Sequence, residues 1–154
     1  MLDRHDINSL SATRNYAGEL LSDVLGFTDW QIVGIVDLSG RGYPITAMVR
    51  GRVPVVVAPH DMELDDPDPC FAVSGLGNRK KSAARLAQEF LDAAEANTWA
   101  MVTNGRRIRL LRDAASLTRP TYLEFDLETI LSEKRYPDFK ALWTIFFSFR
   151  NVPL

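Results

Sequence analysis

One hairpin limits what this chain can fold into more than any other stretch. Trp99 to Thr103 reads as a strand, and Asn104-Gly105 is a two-residue step that accepts positive φ at both positions. Arg106 to Arg112 then reads as the returning strand. There Ile108 and Leu110 share one face, while Arg107 and Arg109 share the other. Tyr122 to Leu127 alternates again, setting Leu123, Phe125 and Leu127 opposite Tyr122, Glu124 and Asp126.

Ahead of the hairpin, Ser11 or Thr13 is placed to cap a helix reaching about Leu25, with Ala17, Leu20, Leu21 and Val24 in its apolar stripe and Gly26 as its stop. Trp30 to Leu38 reads as a strand, separated by the turn-rich S-G-R-G-Y-P from a second at Pro44 to Arg50, with Ile45, Ala47 and Val49 on one face. The R-G-R at 50–52 turns tightly into Val53 to Ala58, apolar almost throughout, as a strand covered on both faces must be. Pro59 to Gly77 reads as a long, partly mobile surface loop. Helical spacing returns from about Asn78 to Ala96, with Ala83, Ala87, Phe90, Leu91 and Ala94 on one face. A last helix runs from Tyr136-Pro137-Asp138 towards Phe149; its Phe139, Leu142, Trp143 and Phe146 either close the core or meet a partner. Through residue 104 the order is helix, three strands, helix, strand. That α/β (α+β) order, αβββαβ, is that of a restriction-endonuclease-like core, here extended by the second hairpin strand, a further strand and a C-terminal helix.

With 154 residues the chain is read as a single domain, 1–154, with enough apolar side chains for a sizeable core. Its net charge of −2 argues against a wholly basic nucleic-acid coat, yet the total hides a segregation of charge. Four arginines lie between Arg106 and Arg112, and five acids between Asp61 and Asp68. Cys70 is the only cysteine, so neither an intrachain disulfide nor a thiolate zinc cluster is open to the chain. No apolar stretch is long enough to span a bilayer and no signal-peptide core follows Met1, which makes the cytoplasm the default compartment.

On such a core, metal-dependent phosphodiester cleavage needs an acid on the second strand and an acid–x–lysine on the third, the carboxylates holding Mg²⁺. Here the second strand begins Tyr43-Pro44-Ile45, and the third offers Val55, Val56, Val57 and Ala58. Glu19 and Gln88, on the two long helices, and Asp61 after the third strand are the only catalytic candidates, and they do not make up the missing ligand set. Asp61, Glu63, Asp65 and Asp66 alternate like a calcium loop but lack its glycine and closing glutamate, so they read as a solvated acidic loop without a metal. His5 and His60 read as ordinary surface or loop residues.

Two groups of cations admit a DNA reading. In G-L-G-N-R-K-K-S (75–82), Arg79, Lys80 and Lys81 stand at a predicted helix start, where an anion such as a DNA phosphate would be drawn; the plainer reading is a basic, soluble first turn. Arg106, Arg107, Arg109 and Arg112 could follow a phosphate backbone; alternatively Arg107 and Arg109 pair across the sheet with Glu124 and Asp126, which alternate with the period needed to face them.

The segments S-A-A-R-L-A-Q-E-F-L-D, W-A-M-V-T-N-G-R-R-I-R-L-L-R-D, S-L-T-R-P-T-Y-L-E-F-D-L-E and Y-P-D-F-K-A-L-W resemble the N-terminal region of large type IIG-like restriction–modification methylases and related phage-defence methylases. The likeness covers roughly residues 82–150; the first eighty residues share only the order of elements. It implies a nuclease-like domain that precedes an adenine-specific DNA methyltransferase, with DNA and the methyltransferase domain or subunit as partners. The sequence departs from that pattern in lacking the nuclease acids and lysine, and has no N-P-P-Y quartet and no glycine motif for S-adenosylmethionine, which is therefore expected only in the parent protein. Ending at F-R-N-V-P-L, it is expected to be an excised or naturally split N-terminal domain that does not itself cleave DNA.

Overall fold

Six strands form one mixed sheet in sequence order: β1 (Trp30–Leu38), β2 (Arg41–Val49), β3 (Val53–Val57), β4 (Trp99–Thr103), β5 (Arg107–Arg112) and β6 (Tyr122–Asp126). The structure is a computed structural model that describes residues 13–16, 18–19, 22, 29–75, 77, 79–94, 97–112 and 122–151, with side chains to 146 in the last helix. All neighbouring pairs are antiparallel except β3–β4, which run parallel with Val55 beside Met101. A parallel pair needs a crossover, and helix α1 (Ala83–Ala93) supplies it. Helices α2 (Leu127–Ser132) and α3 (Tyr136–Asn151) follow the last strand.

Both sheet faces are covered, and that explains the unbroken valines of β3. Val53, Val55 and Val57 pack with Met101, Ile108 and Leu110 and are covered by Leu127, Leu142 and Phe146. Val56, Ala58, Val102 and Leu111 pack on the other side against Leu86, Ala87, Phe90 and Leu91 of α1. Of the two roles open to the aromatic last helix, closing the core is the one seen for Leu142 and Phe146; Trp143 stays exposed.

Strands β1 and β4 have their expected limits; elsewhere local chemistry moves the boundaries. The helix expected from Asn78 begins at Ala83, because the Ser82 side chain accepts the Arg85 N–H at 3.1 Å and stops it as an N-cap. Arg79, Lys80 and Lys81 therefore precede the helix and do not fill its first turn. β6, expected to reach Leu127, stops at Asp126, because the Asp126 carboxylate accepts the Thr129 N–H at 3.0 Å and opens α2, an element too short for its periodicity to be read. Ile45, expected beside Ala47 and Val49, packs instead with Tyr43 on the α1 side. That change of face falls where β2 pairs with Gly34, whose φ of +80° breaks the regular pleat of β1. The first-helix expectation lies largely outside the described residues; 13–16 and 18–19 are helical.

The expected surface loop after β3 is tied to the body of the protein. Leu64, Phe71 and Val73 are buried, a 3₁₀ turn at Pro69–Phe71 is capped by Asp68, and Gly42 and Ser74 exchange backbone hydrogen bonds. The hairpin turn also differs from expectation. Only Gly105 has positive φ (+84°), and β5 starts at Arg107. The Asn104 side chain makes the turn by accepting the N–H groups of Arg106 at 3.0 Å and Arg107 at 2.9 Å.

Candidate functional site

The described turns of the first helix lie against β1. A Cβ at Gly18 would stand 2.7 Å from the Trp30 ring, so glycine permits the approach. Beside it opens a hollow of about 410 Å³, bordered by Glu19, Ser22 and Trp30 and floored by Thr46, Ala47, Val55 and Val57. The β2–β3 ladder ends there at Ala47–Val55, and the Thr46 hydroxyl accepts the Val57 N–H at 3.0 Å in its place. This is where two strands and a helix would bring ligands together on a cleaving core. The residues present supply one carboxylate (Glu19), two hydroxyls (Ser22 and Thr46), the Asn15 amide and the Arg14 guanidinium over aliphatic carbon. Mg²⁺ wants several oxygen ligands in a strict octahedron, and this set does not fit it. Among the described residues, no three His, Cys, Asp or Glu side chains are grouped as a cation would require.

The other two catalytic candidates are not brought to Glu19. Gln88 lies on α1, which packs against the opposite sheet face, and its Nε2 donates to Asp92 Oδ1 at 3.2 Å. Its buried Oε1 has no hydrogen-bond partner among the described residues. Asp61 is exposed on the loop after β3 and does not line the hollow. Cys70 is no nucleophile either: burial, then the neighbouring Asp68, push its thiol up to about 12, so it stays protonated at neutral pH.

Arginines and acids that are far apart in sequence meet at the hairpin. Arg109 is 7% exposed, and its two terminal nitrogens each donate to Asp65 at 2.7 Å while Nε donates to Glu124 at 2.8 Å. Its guanidinium also lies 4.5 Å from the centre of the Tyr122 ring. Glu124 faces Arg109 in the β5–β6 register, as alternation of charge along the two strands predicts. Arg107 is 3.6 Å from Glu124, whereas Asp126 opposite it caps α2. Arg106 donates to the His60 carbonyl at 2.7 Å and to Glu63 at 3.0 Å. Hydrogen bonds from Arg109 hold the Asp65 carboxyl below the usual carboxylate range. The acidic loop and the arginine hairpin are thus each other's counter-charge.

Asn104 completes that clamp. It is fully buried, and its Nδ2 donates to the Met62 carbonyl at 2.8 Å while its Oδ1 serves the turn. Asn104→Ala should destabilise the fold by about 2 kcal/mol, because three partly buried backbone groups lose a partner; urea unfolding followed by circular dichroism measures it. Sequence alone singles out neither Asp65 nor Asn104 for this role. Asn104 carries a signal as a turn former, but nothing local marks Asp65 as the partner of a residue 44 positions away.

The basic segment before α1 divides. Lys81 pairs with Glu89, which also accepts from Arg85 at 3.0 Å. Burial raises the Glu89 carboxyl, but these two cations outweigh it and leave it below the ordinary value. Arg79 and Lys80 are exposed and, among the described residues, have no ion-pair partner. No family model, curated protein or solved structure matches the chain.

Proposed function

We propose that this chain is a catalytically silent, nuclease-like domain of a cytoplasmic restriction–modification or phage-defence DNA methylase, docking to the methyltransferase part and gripping DNA. The observation that carries this reading is the hollow where β2 and β3 part beneath Glu19. Three features support a nuclease-like scaffold: antiparallel β1–β2–β3, a helical crossover, and β4 parallel to β3. The floor of Thr46, Ala47, Val55 and Val57 in place of acids and a lysine supports silence. Arg79 and Lys80 are the cations best placed for phosphate, being exposed, whereas Arg106 and Arg109 are engaged by acids and Arg107 lies near one. S-adenosylmethionine belongs, on this reading, to the parent protein.

Duplex-DNA binding measured across a salt series tests it. Arg79→Glu with Lys80→Glu should weaken binding at least tenfold at low salt. The slope of log K against log salt should become shallower by about 2, because two phosphates are no longer neutralised. Binding that ignores both changes, or no binding at all, would favour a protein-interaction module without DNA contact. Glu19 at the rim of the hollow keeps a divergent Mg²⁺-dependent nuclease as the competing reading. Metal-dependent cutting that disappears in Glu19→Ala or Asp61→Ala would establish that reading instead.

A further inference from the structure

The two edges of the sheet are built differently. β6 is a five-residue edge carrying Glu124 and Asp126, the charged and short kind that resists pairing with another chain. β1 is nine residues long, pairs only with β2 among the described residues, and carries a single ionisable side chain, Asp37. Ile32 and Ile35 on it are 79% and 74% exposed. In a regular strand they would face opposite ways. Gly34, at φ +80° between them, breaks that alternation, and both line one hollow with Arg14, Pro44 and Phe71. The edge therefore presents an uncharged backbone ladder next to two exposed isoleucines.

We propose that β1 is the dimer interface of this protein, pairing antiparallel with β1 of a second copy about a two-fold axis at Val33-Gly34. That register is self-complementary. It sets Ile32 of each copy against Ile35 of the other, so the two most exposed aliphatic side chains of the strand cover each other twice. Gln31 meets Val36, and Asp37 meets Trp30, so neither carboxylate faces its twin. Backbone N–H and C=O groups of β1 that have no strand partner among the described residues gain one, and the sheet extends to twelve strands. A foreign strand would satisfy the same backbone groups, but only a second copy supplies the matched isoleucine pairs without a further assumption. The inference is independent of the DNA reading.

Sedimentation equilibrium of the full chain tests it with two charge-changed versions, Ile32→Lys/Ile35→Lys and Ile32→Glu/Ile35→Glu. The unaltered chain should be a dimer and each variant alone a monomer, since the register sets like charges against each other. An equimolar mixture of the two variants should recover a one-to-one dimer, because each lysine then meets a glutamate. Both substitutions lie on an exposed strand, and circular dichroism confirms that the variants are folded. An unaltered chain that is monomeric at about 100 µM, well above the Kd of a modest interface, overturns the proposal. So does a dimer that survives in either variant alone, or a mixture that does not pair.

Discussion

Phe90→Ala is expected to lower the stability of the fold by about 4 kcal/mol, a loss at the upper end for a single truncation. Phe90 is buried in the layer between α1 and the sheet, among Leu86, Leu91, Val56 and Val102. Its ring also meets Tyr43 edge-on with centroids 5.5 Å apart. Truncation removes the transfer free energy of the ring and leaves a void that the close-packed β3 and β4 valines cannot fill. Since small domains have only about 5–15 kcal/mol in hand, a large share of the molecules should unfold by moderate urea. A urea midpoint falling without a change in slope would show the loss; Arg85→Ala, at an exposed helix position, should move it by less than about 0.5 kcal/mol.

Arg109→Ala should cost about 3 kcal/mol at neutral pH, and its signature is a change in acid sensitivity. Three charge-assisted hydrogen bonds and a ring contact converge on this buried guanidinium, so its removal leaves Glu124 partly desolvated without its closest cation. Because Arg109 holds the Asp65 carboxyl below its unfolded value of about 3.9, the pair favours the native state above that pH. The gain fades as pH falls through the depressed native pKa. Unfolding curves between pH 7 and pH 2 should therefore show an acid limb in the unaltered chain that flattens in Arg109→Ala. Asp65→Asn should flatten it too, with a smaller loss at neutral pH of about 1 kcal/mol, since Asp65 is mostly exposed and solvent screens its share. Equal acid limbs in all three proteins would show that the pair contributes nothing to the folding equilibrium.

What the sequence revealed follows the range of the interactions involved. β1, β3 and β4 were legible because apolar runs bounded by turn residues are decided within a few positions. The core face of α1 was legible from the spacing of Ala83, Ala87, Phe90 and Leu91, but its start was not, because a single serine hydroxyl settled it. The segment from Pro59 to Gly77 read as loop since its Leu64, Phe71 and Val73 follow no period; they are buried by what lies across from them. The face change at Ile45 depends on a backbone angle in the neighbouring strand, which no pattern within β2 records. At the candidate site, the absence of acids from β3 was plain in the sequence, whereas the neutralisation of Arg109 by Asp65 needed the tertiary fold.

The parallel contact of β3 with β4 has a bearing on how the protein reaches its native state. On either side of that seam the sheet is a three-stranded antiparallel set whose strands are close neighbours in sequence, β1 to β3 on one side and β4 to β6 on the other. Each set zips from neighbours in sequence, at low loop-closure cost. Val55 and Met101, by contrast, are separated in sequence by the whole excursion through Phe71, Ser82 and α1, so pairing them closes a far longer loop. The seam is therefore the entropic bottleneck of folding, and helix-stabilising changes on the exposed side of α1 should accelerate it more than equal changes on α3.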